Sequence, residues 1–549
     1  MPNWLHGRVE VTEDTLNEAR EELADRIADL GPAFALVKRV EFERRFDFLF
    51  LELQNDPNNL LPETKATRDA LRDLGEAMAD EGTDAATGDS DPAFSSAYTY
   101  FGQFVDHDIT LEKSSQPGMA PPVDPNLTPL PLQDIRDQTR NVRTGVLELD
   151  SVYNSPARRD PEPNGPRMKI GKVDESSGGR PPGKDDFNDL PRRGESGDPV
   201  RDRQALIGDP RNDENLIVAQ MHVAFLRAHN RLLEETSPPE RLKKAKRRLR
   251  RHYQHIVIHD FLKQIAEPSI VNDIIENGNR IYDPGEDEFF MPLEFSVAAY
   301  RFGHSMVRAE YDFNLNFNTT KGPNFRARIF PELFKFTALM GQLGGGNVPE
   351  FKTLPEIWII QWSNFFRGAG DFFNKARKID TKLVEPLQHL QTMGGQTEPG
   401  LAAKLAVRNL LRGYQLRMPT GQAVAHALHD KLLGVRDIPV LTAAQIRQGA
   451  GGGAAGDAQR QVLTASGFDE RTPLWYYILA EAALLRDGRR LGPVGSTIVA
   501  EVLIGLVRRS PDSILAPGLD WNPSLPSEEP GEFTLHDLLR YASRRIEDG

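Results

Sequence analysis

The chain has no cysteine in 549 residues. Disulfide frameworks, zinc ribbons, iron–sulfur clusters and thiol nucleophiles are excluded together. Any metal ion must be held by histidine and oxygen ligands. No apolar run approaches the ~20 residues of a membrane span. The longest, residues 498–507 (IVAEVLIGLV), contains a glutamate and reads as a buried core helix. The start, MPNWLHGRVEVTEDTLNEAR, has no apolar h-region and is not a Sec signal peptide. The expectation is a soluble chain, either cytoplasmic or exported by a non-Sec route. Positive charge is in deficit: 67 Lys and Arg against 80 Asp and Glu leave −13. With no basic stripe read in the sequence, that balance argues against a nucleic-acid partner. There is also no internal repeat and no RGD tripeptide.

What is present is a large apolar complement, 39 % of residues with 28 Phe, ample for one large core. Residues 13–30 place Leu16, Ala19, Leu23, Ile27 and Leu30 on one helical face. Residues 33–54 read as a further Phe- and Leu-rich helix, 80–92 as a linker, and 93–112 as a periodic segment. Residues 114–205 are rich in Pro, Gly, Asp and Asn, a long irregular region of the kind often tied to function. From 212 onward helices are expected at 213–236, 239–267, 293–309, 355–374, 402–417, 422–433, 471–486, 493–509 and 535–546. Residues 448–456 (QGAGGGAAG) read as a surface loop. The fold class is mainly α: one large helical domain with long irregular loops over 91–549, and an N-terminal helical extension over 1–90.

Without cysteine, the 12 histidines are the natural source of chemistry. His252, His255 and His259 share a helical face, but no HExxH pattern or third ligand accompanies them. His222, His229, His389, His426 and His429 read as structural. Two others stand out. In YFGQFVDHDIT, Gln103, Asp106 and His107 share a helical face, while Asp108 points elsewhere. In FSVAAYRFGHSMVRAEY, His304 follows Gly303, a residue unfavourable inside a helix unless something flat approaches the backbone. Arg301 lies three residues before His304. In ALIGDPRNDENLIVAQ, Asn212 or Asp213 is a candidate cap, Glu214 suits a first helical turn, and Arg211 has no such ordinary explanation.

These three segments, with LDSVYN (149–154), LAVRNLLRGYQL (405–416), TPLWYYILAE (472–481) and LGPVGSTIVAEVLIG (491–505), occur in one order. The chain resembles the animal-type haem peroxidases of the peroxidase–cyclooxygenase superfamily, bacterial members most closely, from about residue 93 to the end. The resemblance implies the corresponding mainly α fold and a haem b cofactor. It implies His107 as distal base, Arg211 as distal cation, and Gln103 as the distal glutamine at a halide site. Asp106 and Glu214 match carboxylates ester-linked to haem. His304 matches the iron ligand, Asn409 the acceptor of its second ring N–H, and Arg301 and Arg412 arginines on the proximal side.

The resemblance also implies Ca²⁺, held by Asp108, Thr144, the Val146 carbonyl, Glu148 and Asp150, a hard-oxygen set. Glu148 stands where Asp is usual, and Asp150 where some members have Ser. The implied activity is use of H₂O₂ to oxidise a small anionic or aromatic donor through a ferryl porphyrin radical. Asn215 stands where the strongly chlorinating member has a haem-bonded Met, so bromide, iodide, thiocyanate or phenols are the expected donors. Arg301 stands where fatty-acid oxygenases of the superfamily carry a radical-forming Tyr, with Tyr300 adjacent. That oxygenase, and a calcium-dependent adhesion or matrix protein retaining the fold, are the alternatives.

Overall fold

Helix starts follow the local chemistry. In the computed structural model, Thr64 accepts the Thr67 N–H to open α1 (Lys65–Ala77), and Asn215 accepts the Val218 N–H to open α3 (Leu216–Glu235). Between them lies α2 (Ala97–Ile109). The chain continues through α4 (Arg241–His255), α5 (Pro268–Asn277), α6 (Leu405–Gln415) and α7 (Gly421–Lys431). Then come α8 (Ala443–Gly449), α9 (Gly453–Ser466), α10 (Leu474–Arg486), α11 (Pro493–Arg509) and α12 (Leu535–Ser543). The structure describes residues 45–80, 91–114, 127–153, 167–174, 188–194, 197, 202–283, 289–317, 328–329, 333, 337, 353–366, 373–390 and 400–543. The fold is mainly α. Helices α10 and α11 are apolar on nearly every side and form the buried centre. The helix expected at 13–30 lies outside the described residues.

One small sheet sets the site. Its strands are β1 (Arg45–Asp47), β2 (Glu112–Ser114), β3 (Thr139–Asn141) and β4 (Phe290–Pro292), in the order β2-β3-β1-β4. β1 is antiparallel to β3 and parallel to β4, with Phe46 opposite Met291. The sheet therefore joins the exit of α2 to the entry of the segment carrying His304. β1 also corrects the helix expected over 33–54: its described part is a strand followed by a 3-10 turn, Leu51–Asn55. Residues 45–80 are built into the core through β1 and through α1, which packs on α6 and α9.

Three other expectations change. The expected helix 355–374 is two 3-10 turns, Glu356–Trp358 and Trp362–Asn364, in its described part. The Asn314 amide donates to the Ile357 and Ile359 carbonyls (2.9 and 2.8 Å), removing acceptors that a helix needs. The loop expected over 448–456 contracts to the joint between α8 and α9. The irregular region 114–205 holds short elements such as the helix Leu132–Gln138. The absence of a basic stripe does not hold at the scale of one helix. α4 (RLKKAKRRLRRHYQH) has no acidic residue, but its arginines turn to Asp512, Glu148 and Glu235.

Candidate active site

The expected helix 293–309 is instead a π turn (Glu294–Ala298) running into a 3-10 helix (Ala299–His304). The Glu294 carboxylate anchors the wide turn by accepting the N–H groups of Leu49 (2.7 Å) and Phe50 (3.1 Å). In a 3-10 helix residues i and i+3 eclipse, so Arg301 and His304 stack on one face. Both reach Asn409 of α6. Arg301 donates to Asn409 Oδ1 (2.8 Å), and Asn409 Nδ2 lies 2.7 Å from His304 Nδ1. This reverses the expected polarity: the carboxamide oxygen is taken by a guanidinium that can only donate, so the amide nitrogen faces the ring. Burial brings the Arg301 guanidinium down to about 10, with Asp106 opposing the shift.

His304 and Gly303 open onto a cleft of about 810 Å³, part of it continuous with solvent. Gln103 and Asp106 of α2 line it too, with Asn215, Tyr300 and Arg301. A smaller neighbouring cleft of about 410 Å³ shares Asp106, Ser296 and Arg301. A Cβ on Gly303 would meet nothing within 4 Å. The glycine thus leaves flat space beside a potential axial imidazole, which fits a macrocycle lying against the backbone. Arg412 does not line either cleft; it is committed to Glu112 (2.5 Å) and Gln415 (2.8 Å).

Behind the opposite wall lies a buried polar layer. His107 is 1 % exposed and does not line the cleft. Burial, reinforced by the Arg211 cation, pushes its pKa down to about 4, so the ring is neutral. Its Nδ1 lies 2.8 Å from Asn212 Oδ1, and Asn212 Nδ2 lies 2.9 Å from His222 Nδ1. Arg211 is clamped by Asp209 (NH2 to Oδ2, 2.7 Å) and donates to the Thr110 carbonyl (2.5 Å). Its NH1 is buried with no hydrogen-bond partner. Such an orphan donor is costly unless something binds it. Despite burial, Arg143 and Arg211 hold the Asp209 carboxyl well below the usual carboxylate range.

Glu214 sits between the 3-10 turn Pro210–Asp213 and the cap of α3, rather than inside the helix. Burial pushes its carboxyl well up. Gln103 Nε2 donates to Glu214 Oε2 (3.3 Å) and Gln103 Oε1 accepts from Asn215 (3.0 Å). Asp106 accepts from Thr110 (2.8 Å). The expected cap at Asn212 or Asp213 falls instead to Asp209 for the 3-10 turn and Asn215 for α3. Asp213 pairs with Arg192. Asp209, Asn212 and His222 were not singled out for the site. The only signal for His222 was its spacing from an unexplained Arg211.

Asp108 turns away from this layer, as its helical position requires. It accepts the N–H groups of Leu149 and Ser151, both at 3.1 Å. Burial, with Asp150 and Glu148 close by, pushes it up to about 7. Thr144 Oγ1 is buried with no hydrogen-bond partner. Hard oxygens in want of a cation fit Ca²⁺. Asp150 now meets Arg143 (3.3 Å) and Glu148 faces Arg250 (3.7 Å). Among the described residues, no group of three or more His, Asp or Glu side chains is arranged to hold a metal ion. That includes the histidines on α4 and beyond. His252 is fixed by the Arg248 carbonyl and the Ser524 and Leu525 N–H groups, and the His255 and His259 rings lie 4.5 Å apart without a third ligand.

The chain is similar to several known proteins. The family model for animal haem peroxidase matches residues 136–340. A peroxidase-like protein of Margaritifera margaritifera is 28 % identical over 268 residues, covering 39 % of this chain and 32 % of that protein. A chorion peroxidase of Aedes aegypti is 32 % identical over 118 residues, covering 19 % of this chain and 15 % of that protein. The chain thus spans about a third or less of these curated relatives. Among solved structures, peroxidase A from Dictyostelium discoideum superposes with TM-score 0.51 at 17 % identity over 81 % of this chain and 84 % of that one. A fatty acid alpha-dioxygenase of Oryza sativa gives 0.53 at 14 % identity over 86 % and 76 %. Those two likenesses are of fold. The family match over residues 136–340 and the curated relatives make this chain similar to the peroxidase–cyclooxygenase superfamily, whose animal haem peroxidase domain implies a haem cofactor.

Proposed function

We propose that this chain is a haem-dependent peroxidase that uses H₂O₂ to oxidise a halide or pseudohalide, such as bromide, iodide or thiocyanate, or a small aromatic donor. The observation that carries the reading is the pairing of two walls. One presents His304 beside the open flank of Gly303, and behind the other stand a neutral His107 and the unpartnered Arg211 NH1. Haem, when bound, supplies the redox chemistry. His304 would hold its iron. Asn409, which lies 2.7 Å from His304 Nδ1, would orient the ring for that task. His107 takes a proton from one peroxide oxygen and returns it to the departing one. Arg211 NH1 stabilises the charge that develops on that oxygen. Gln103 stands at the donor site. Asp106 and Glu214 are the carboxylates for ester links, and Ca²⁺ takes the Asp108–Thr144–Val146–Glu148–Asp150 set. The catalytic unit covers residues 91–549, and the strand and helix of 45–80, from the N-terminal extension, pack against it.

The test is an absorption spectrum of haem-loaded protein before and after H₂O₂, then after bromide. A Soret band that shifts with peroxide and returns with bromide supports the proposal; a band indifferent to peroxide overturns it. His107→Ala is expected to slow the peroxide step by about 100-fold or more while haem stays bound. Full extraction of haem into acidified organic solvent would show that the ester links are absent. One observation favours a second reading, a fatty-acid oxygenase: the buried Tyr300 hydroxyl lines the cleft and makes no hydrogen bond. Oxygen uptake with linoleate in the absence of peroxide would support that reading.

A further inference from the structure

Asn212 stands between two buried histidines, in contact with a ring nitrogen of each. Its carboxamide has one end that only accepts and one that only donates. With Oδ1 2.8 Å from His107 Nδ1, that ring nitrogen must carry the hydrogen. The neutral His107 then keeps a bare Nε2. With Nδ2 2.9 Å from His222 Nδ1, the second ring must be bare at Nδ1. The three side chains thus form a set in which each tautomer depends on the next. Turning the amide over would reverse all of it: His107 would become bare at Nδ1 and protonated at Nε2, with no lone pair left for base chemistry there.

We propose that Asn212, held by His222, is a positioning residue that locks His107 in the Nδ1–H tautomer and so keeps Nε2 available as a base. The inference rests on the peroxidase reading for its consequence, but not for its geometry. An unconstrained imidazole favours the opposite tautomer, with the hydrogen on Nε2. A neutral acceptor at Nδ1 therefore does chemical work, and here it comes from a loop residue three positions before the cap of α3. The same loop carries Arg211, so the arginine and the orientation of the base are delivered by one turn, Pro210–Asp213. That turn is itself pinned from below by Asp209, which accepts the Arg211 N–H (2.9 Å).

The experiment uses the full chain with ¹⁵N-histidine, in haem-free and haem-loaded forms, with His107 resonances identified from a His107→Gln sample. The wild type is expected to show His107 protonated at Nδ1 and bare at Nε2. Asn212→Leu, close in shape but without an acceptor, is expected to move His107 to the Nε2–H form. Asn212→Asp, which restores an acceptor, is expected to keep the wild-type tautomer. In haem-loaded protein the peroxide step should slow tenfold or more in Asn212→Leu and recover in Asn212→Asp. A wild-type His107 protonated at Nε2, or an Asn212→Leu variant that keeps the Nδ1–H form, would overturn the proposal. If Asn212→Leu does not fold, His222→Leu removes the lone pair that holds the amide and is expected to give a mixture of tautomers; a pure Nδ1–H form there would count against it equally. A haem-loaded wild type that ignores peroxide sinks the proposed function, while the tautomer in the haem-free chain is still read independently.

Discussion

Gly303 shows how one missing carbon separates binding from stability. A Cβ there meets no atom of the protein within 4 Å, so Gly303→Ala costs the haem-free chain no packing. It intrudes only on whatever lies against the cleft wall. Haem affinity is expected to fall by about tenfold or more, roughly 1.4 kcal/mol, with the melting temperature of the haem-free protein unchanged. A spectrophotometric haem titration alongside a thermal melt checks both halves. The sequence already drew attention to Gly303, because glycine beside histidine in an apolar helix has no cheap explanation. It gave no such pointer to Asn212: in NDEN it reads as an ordinary cap, and only the approach of α2 to the 210–213 turn sets His107 against it, opposite His222 of α3.

At the scale of elements, close backbone approach and buried carboxylates set the tolerances. A Cβ on Gly75 would lie 2.7 Å from Val407 backbone and side-chain atoms, so α1 rests directly on α6. Gly75→Ala must push the helices apart, at a cost of about 1–3 kcal/mol. Because α6 carries Asn409, the haem spectrum should shift as well as the denaturant midpoint. Glu481 of α10 caps α11 by accepting the Val494 and Gly495 N–H groups at 3.1 and 3.3 Å. Burial raises its carboxyl to about 8, against 4.5 for the free group. The folded state then holds a proton that the unfolded chain releases. The stability this contributes is full below pH 4.5 and is lost as pH rises through about 8. Glu481→Gln imitates the neutral acid and removes that loss. Urea unfolding at pH 5 and pH 9 should find the variant gaining on wild type by a few kcal/mol at the higher pH; an equal gap at both would refute the assignment.

At the scale of the whole molecule, the β2-β3-β1-β4 sheet joins the exit of α2 to the entry of the His304 segment, and α10 and α11 pack against that segment. Ligands that favour the folded form stabilise it by mass action. If the Asp108 and Thr144 oxygens hold Ca²⁺, a chelator lowers the melting temperature of haem-loaded protein and added Ca²⁺ restores it. Thr144→Val, which removes the unpartnered hydroxyl, should lose this response. A wild-type melt indifferent to chelator and to Ca²⁺ would leave Arg143 and Arg250 as the charges that balance Asp150 and Glu148. No helix among the described residues is long and apolar enough to cross a membrane.

The sequence by itself determined the helical class, the position of α2, α3, α6, α10 and α11 within a few residues, and the residue types of the site. Helical period, capping residues and the His, Arg and Gly of three short segments are local properties that a linear string carries. Only the tertiary structure decided that 293–304 winds first wide and then tight. Glu294 is held there by the distant Leu49 and Phe50 amides. It also decided that 355–364 is not a helix, because Asn314 captures its carbonyls. Which way Asn409 and Asn212 point was likewise beyond the sequence. An amide's orientation is set by its partners, and those lie 108 and 105 residues away, at Arg301 and His107.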